Sequence, residues 1–395
     1  MPHILHLGVG NFFRAHAAAY TQDSAGWSVT GVSFRSGTIR NGLAAQGFAY
    51  SLVIKDADGT TIKPINCITN MLVASEDPQA VIDAIASDRF DVITLTVTEK
   101  AYGLGPDGRL DMNAPDTRAD VNGAGATVLG TLARGLALRT TPVTVLCCDN
   151  LPENGAKLAQ AVRDFATASN LQVPDQITFP SCMVDRITPA TTDAIRDEAN
   201  DPMAVPTEAF TEWVIEDRFA AARPDWPGVQ WVNDVTPHEM RKLRMLNGAH
   251  SFLAYAGILR GHTYVHEAIA DPDLRSTTLA LMAEAAETLP GEVQKQTEAY
   301  AKALIQRFEN PNLHHSLRQI AMDGSQKMPI RILSTLTERQ GKSSPALNQA
   351  IDAWVGFVRA EVAAARPLDD PRAEALIAAC QSEHPVAALR ALIDG

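Results

Sequence analysis

Lys242, Asn247 and His250 are among the polar side chains that interrupt the largely apolar run KLRMLNGAHSFLAYAGIL (242–259). On a regular α-helix, at about 100° per residue, these three and Glu239 fall within an arc of roughly 140° and can share one cavity. Leu243, Met245, Leu246, Phe252, Leu253 and Ala254 supply apolar surface around them. Desolvation in such surroundings lowers a lysine's pKa, and the neutral amine can then act as a base. The same pattern also fits a lysine that reaches solvent along its stem while Asn247 and His250 satisfy backbone groups near a helix end. Two other stretches place single polar residues beside apolar strands. In CCDNLPENG (147–155), Asn150 lies just past a strand, at the carboxyl edge where open α/β sheets bind ligands. In FPSCMVDRITP (179–189), Asp185 is flanked by Met183, Val184 and Ile187 and needs a cation or donors if buried. Asn and Asp serve equally well in turns.

Near the start, Gly8-Val9-Gly10 follows an apolar strand and precedes HAAAYTQ, a helix-forming stretch. That is where a dinucleotide's pyrophosphate would meet backbone N–H groups. The third glycine of the fingerprint is replaced by Phe13, so a tight turn in an unrelated α/β protein would read the same way. After the second strand, Ser33-Phe34-Arg35-Ser36 lacks the carboxylate that would bind a ribose 2′-OH, while Arg35 and Arg40 lie close by. This composition tolerates a 2′-phosphate, and it also fits solvated loop arginines.

The elements that must position these residues differ between the two halves of the chain. ILHLG (4–8), WSVTGVSF (27–34), VITLTVT (92–98) and VTVLCCD (143–149) alternate with helical stretches, which predicts a mostly parallel sheet with crossover helices. From about Val235 onward, helical periodicity dominates in TTLALMAEAAETL, GEVQKQTEAYAKALIQRF and ALNQAIDAWVGFVRAEVAAA. The expectation is a Rossmann-type α/β domain over 1–235 and a largely α-helical domain over 236–395. FAAARPDWPGVQWVNDVTP (219–237), with three prolines and no period, reads as the connection.

A chain of 395 residues suits two domains, each with its own core. The opening MPHILHLGVG has no basic segment and no small-residue cleavage site, so the cytoplasm is the expected location; no run approaches the length of a membrane span. Five scattered cysteines (Cys67, Cys147, Cys148, Cys182, Cys380) form no CxxC and point away from both disulfides and zinc. A formal charge of -12 opposes binding to nucleic acid.

Seven ordered blocks carry a family resemblance: HLGVGNFFRAH (6–16), TLTVTEKAYG (94–103), CCDNLPENG, FPSCMVDRITPAT (179–191), EWVIEDRF (212–219), KLRMLNGAHSFLAY (242–255) and IAMDGSQKMP (320–329). Together they resemble the polyol-specific long-chain dehydrogenases, which include mannitol 2-dehydrogenase, arabinitol dehydrogenases and fructuronate reductase. The resemblance covers roughly residues 1 to 340. It implies NAD(H) or NADP(H) as cofactor, an active site between two domains, no metal, and a monomer or weak homo-oligomer acting on a polyol or sugar acid. Lys242 matches the family's general base, and Asn247 and Asn150 the amides that hydrogen-bond the alkoxide. His250 matches a group at the substrate oxygen, Glu239 a proton relay, and Asp185 and Lys327 substrate-positioning residues. Gly8, Gly10, Asn11, Phe12, Phe13, Arg14, Arg35, Thr38 and Glu99 fall at cofactor-binding positions.

This chain departs from the pattern at Asn11 and Phe13, at Thr38 in place of an aspartate, and at Gln319, with Arg318 adjacent, in place of an arginine. It is also shorter than the family norm after about Gly341. A sugar-alcohol substrate is expected, with ketouronate reduction as the alternative and a nucleotide-binding sensor as the non-enzymatic one. The intact Lys242, Asn247 and His250 set argues against the sensor.

Overall fold

The structure, a computed structural model, describes residues 2–105 and 108–394 and divides between Thr236 and Pro237 into two compact units. The strands of the first unit are His3–Leu7 (β1), Ser28–Ser33 (β2), Tyr50–Asp56 (β3), Gly59–Ile65 (β4), Ile68–Val73 (β5), Val92–Leu95 (β6), Val143–Cys147 (β7), Ile177–Thr178 (β8), Cys182–Asp185 (β9), Val205–Glu208 (β10), Glu212–Glu216 (β11) and Gln230–Val232 (β12). Six of them form a sheet in the order β5-β2-β1-β6-β7-β8, every neighbouring pair parallel. Numbered among themselves in chain order, these strands run 3-2-1-4-5-6, the Rossmann order, which reverses between β1 and β6. β1, β6 and β7 are buried along their whole length, as expected for parallel strands covered on both faces.

The remaining strands were not legible as period-2 patterns. β3 and β4 form a hairpin inserted between β2 and β5, and β10 adds to it in parallel. β9, β11 and β12 make a second small sheet. The expected linker over 219–237 is largely folded structure. Trp226 is buried, its ring centroid 4.4 Å from that of Trp213, and its indole N–H donates to Thr21 Oγ1 at 3.0 Å. Aromatic burial anchors this segment, and the turn signal holds at 227–228.

The second unit is built of helices. At its centre lies Gly248–Leu259, buried from Gly248 through Gly257. A helix that is apolar nearly all round must be enclosed. Pro272–Ala286 and Pro345–Ala363 enclose it, with Trp354 buried in the same core. No helix among the described residues is long and apolar enough to cross a membrane.

Candidate active site

At the sheet's carboxyl edge, the first unit ties three strand ends together. Gly8 follows β1 with φ +96°, and a Cβ there would lie 2.2 Å from Thr96 O and 2.7 Å from Val97 Cγ1. Only glycine fits, because the loop backbone is pressed against the end of β6. The Thr96 hydroxyl donates to Gly8 O at 2.9 Å. The His6 Nε2–H therefore points at the Thr96 and Gly8 oxygens, at 3.0 and 3.2 Å, and Nδ1 accepts from Thr94 Oγ1 at 2.7 Å. Burial lowers the His6 pKa to about 3, so the ring is neutral. From β7, the Asp149 carboxylate accepts the Val97 and Thr98 N–H groups, each at 3.0 Å, and the Tyr102 hydroxyl. Burial pushes the Asp149 carboxyl above the usual range, against donors that favour its anion.

Gly10 differs from Gly8. Its backbone is extended, and an added Cβ would meet only Gly8 O, at 3.9 Å. Nothing inside the chain demands glycine there, which leaves close approach from outside as its physical use. Asn11 opens the helix Asn11–Ala15, and Phe12, half-buried, stacks on His16.

Phe13 and Arg14, expected at the cofactor, are taken up inside the unit. Phe13 is buried and stacked on His6, ring centroids 3.5 Å apart, filling the space that the missing glycine would leave between helix and strand. Arg14 is buried with NH1 on Met203 O at 2.6 Å and NH2 on Asn11 Oδ1 at 2.7 Å. Arg35 and Thr38 are exposed after β2, whereas Arg40 is held by Glu76 through two bonds of 2.6 and 3.0 Å. The side chain of Glu99 lies outside the described residues.

Asn150 is exposed at the end of β7, and Asp185 is buried at the end of β9, paired in register with Glu212. The neighbouring Asn154, missed from sequence, is fully buried. It donates to Cys182 O at 2.7 Å and accepts from Cys182 N at 2.9 Å, so it joins β7 to β9. Gly155 is required beside it, since a Cβ would sit 2.5 Å from Pro180 O. Most of CCDNLPENG is therefore scaffold for Asn150.

In the second unit, the expected regular α-helix is interrupted. Thr236–Arg241 is α-helical and carries Glu239; Lys242–Asn247 is π-helical; the α-helix resumes at Gly248. This correction matters for the site. Five residues of α-helix separate two side chains by about 140°, whereas i→i+5 bonding stacks them about one turn apart. The π turn thus aligns Lys242 with Asn247, which gives a physical reason for the four-residue gap between them. Both are half-buried. The Asn247 carboxamide has no hydrogen-bond partner among the described residues.

His250 is buried against Phe308 (centroids 4.6 Å) and edge-on to His315 (5.1 Å). Burial, then His315, Arg307 and Arg331, hold its pKa well below the ordinary value. Its Nε2 is enclosed without a partner among the described residues. Buried polar atoms in folded proteins are usually paired, and this one is available to a ligand atom.

Two arginines flanking Lys242 brace the π turn from behind. Arg241 lies over the Tyr300 ring at 4.2 Å, and Arg244 reaches Thr288 Oγ1 and Glu338 Oε2, both at 2.7 Å. A third arginine escaped the sequence reading. Arg331 sits in a second π-helical stretch, Pro329–Leu333, and its NH1 donates to Ser251 Oγ at 3.0 Å and reaches Asn247 O at 3.4 Å. Lys327, in the preceding turn, donates to Ile320 O at 3.3 Å and lies 3.9 Å from Asp323. Its segment is pinned by Gly324, where a Cβ would strike Trp354 Nε1 at 2.5 Å, and by Asp370, which accepts Ser325 N at 2.8 Å. Arg318 is engaged by Glu361 at 3.0 Å. Two cavities of this unit, of about 650 and 290 Å³, are lined by other residues; of the π turn only Met245 contributes.

Comparison with known proteins agrees with this architecture. The chain matches the Mannitol dehydrogenase Rossmann domain over residues 2–228 and the Mannitol dehydrogenase C-terminal domain over 234–393. D-mannonate oxidoreductase of Escherichia coli (strain K12) is 38% identical over 387 residues, 90% of this chain and 80% of that protein. Mannitol 2-dehydrogenase of Phaeosphaeria nodorum is 36% identical, over 94% of this chain and 72% of that protein. Among solved structures, the Pseudomonas fluorescens mannitol 2-dehydrogenase ternary complex with NAD and D-mannitol superposes with a TM-score of 0.84 at 31% identity, covering 100% of this chain and 91% of that one. With both domains matched and curated relatives above 35% identity, the chain belongs to the mannitol dehydrogenase family of oxidoreductases.

Proposed function

We propose that the protein interconverts a secondary alcohol of a mannitol- or arabinitol-like polyol and the corresponding ketone, using a nicotinamide dinucleotide and no metal. The observation that carries this reading is the group on one helix: Lys242 aligned with Asn247 by the π turn, and His250 with an enclosed, unpartnered Nε2 one α-turn further on.

NAD(H) or NADP(H) would be held by the Gly8–Asn11 turn, by Phe12, and by Arg35 and Thr38 beyond β2; Gly10, free of any steric requirement within the chain, fits the approach of a pyrophosphate. When bound, the nicotinamide supplies hydride acceptance from the alcohol carbon. The chain's own groups manage the proton and the oxygen. Lys242, as neutral amine, takes the hydroxyl proton, and Glu239, one turn earlier, passes it toward solvent. The carboxamides of Asn247 and Asn150 donate to the oxygen as negative charge grows on it, the task fixed neutral donors perform best. His250 Nε2, kept neutral by its surroundings, meets a substrate oxygen. Asp185 and Lys327 position the remaining hydroxyls.

A sugar-acid substrate is the second reading. It is favoured by the D-mannonate oxidoreductase relative and by the cation Lys327, which suits a carboxylate. The test is nicotinamide absorbance with purified protein against polyols and sugar acids, each with NAD(H) and NADP(H). Turnover of a polyol is expected; turnover of sugar acids alone would replace the first reading by the second.

A further inference from the structure

Asp149 immediately precedes Asn150, yet its carboxylate is directed wholly at the neighbouring strand end. Oδ1 accepts from Val97 N and Thr98 N, both at 3.0 Å; Oδ2 lies 3.1 Å from Val97 N and accepts the Tyr102 hydroxyl. The turn it grips is strained. Thr98 has φ +74°, the left-handed region that a β-branched residue adopts only under constraint. Two N–H groups aimed at one carboxylate, those of Val97 and Thr98, hold the turn in that conformation. The strained turn also bears on the glycine loop, since Val97 and Thr96 are the atoms a Cβ on Gly8 would strike. β6 and β1 are the pair across which the sheet order reverses, the place where dinucleotides bind in this fold.

We propose that Asp149 is a positioning residue that pre-forms the Thr96–Thr98 wall of the dinucleotide site, so that binding does not have to impose the strain at Thr98. The proposal rests on the cofactor reading above. Without the carboxylate, Thr98 relaxes toward ordinary backbone angles, Val97 moves with it, and only a fraction of molecules hold the binding-competent wall. Apparent affinity falls by that fraction.

The experiment is fluorescence titration with NADH and NADPH of the wild type, Asp149→Asn, Thr98→Gly and the double variant, each checked for fold by circular dichroism. In Asp149→Asn an amide N–H₂ faces N–H donors, and affinity is expected to fall about tenfold or more. Glycine adopts positive φ without strain, so adding Thr98→Gly to Asp149→Asn should recover most of the affinity that Asp149→Asn loses. A general loss of stability would not be repaired by relaxing one turn. Wild-type affinity in Asp149→Asn, or no recovery in the double variant, overturns the proposal. Should Asp149→Asn not fold, Tyr102→Phe removes one donor to the carboxylate; a weakening of about threefold supports the clamp and an unchanged affinity overturns it. Failure of the wild type to bind either dinucleotide overturns the cofactor reading itself, a result separate from tight binding by wild type and variant alike.

Discussion

Lys242 and Asn247 are given different tasks, and single substitutions separate them. Lys242→Ala removes the base, and turnover should fall almost to nothing while the dinucleotide dissociation constant stays unchanged, because no cofactor-binding position lies on that helix. An active Lys242→Ala enzyme would remove the lysine from the mechanism. Asn247→Ala should lower kcat by about 10²-fold with a smaller change in KM, since a donor to a developing oxyanion acts mainly in the transition state. A purely structural asparagine would instead lower the melting temperature and leave kcat intact. The residue types were legible in the sequence, because a lysine, an asparagine and a histidine in an apolar run each need a partner. Which residues of the glycine loop face outward was not legible. Phe13 and Arg14 sit inside the same motif as Gly10, and only their packing on His6, Met203 and Asn11 shows that they are internal.

At the level of elements, two π-helical stretches, Lys242–Asn247 and Pro329–Leu333, lie against each other, joined by Arg331. Periodicity cannot reveal such a turn, because hydrophobic spacing reports which residues are buried and a single extra residue per turn blurs that signal only slightly. Four strands of the parallel sheet, β1, β2, β6 and β7, were readable as apolar runs, whereas β5, with two exposed positions, and the two-residue β8 were not. The small sheets were not readable either, since β12 is three residues long and follows directly on the Pro224 and Pro227 segment. The π turn costs good hydrogen-bond geometry and persists because Arg244 and Arg331 hold it from two sides. Arg331→Met should therefore loosen the alignment of Lys242 with Asn247. The expected result is kcat lowered about tenfold or more at unchanged cofactor affinity, with Arg331→Lys recovering only part, because lysine lacks the planar fork. Full kcat in Arg331→Met would show that the π turn holds without it.

For the whole molecule, the distribution of buried neutral histidines sets how stability depends on pH. In the first unit burial lowers His3 to about 4 and His6 to about 3; in the second it lowers His315 to about 4 and holds His250 well below its ordinary value. An unfolded histidine titrates near 6.5. Each of these groups is neutral in the folded state and protonated in the unfolded state as pH drops below that value. The stability they contribute is therefore fully present above about 6.5 and is lost progressively as pH falls toward the folded-state values, about 3 for His6 and about 4 for His3 and His315. The net charge of -12 works in the opposite direction, because acidification relieves self-repulsion. That repulsion acts mostly between exposed, salt-screened groups, whereas His6 alone, fully enclosed, loses about 2 kcal/mol of its contribution as pH falls from 6.5 to 5. The histidine effect should win. Urea unfolding at about pH 7.5 and about pH 5 should show a lower midpoint at the acid value, with little restoration by salt. Tryptophan fluorescence reports chiefly on the first unit, which holds Trp27, Trp213, Trp226 and Trp231 against Trp354 in the second, while far-UV circular dichroism weights the helices of the second. Both signals should move, because both units carry such histidines; a midpoint independent of pH in either would mean that its histidines accept protons without unfolding.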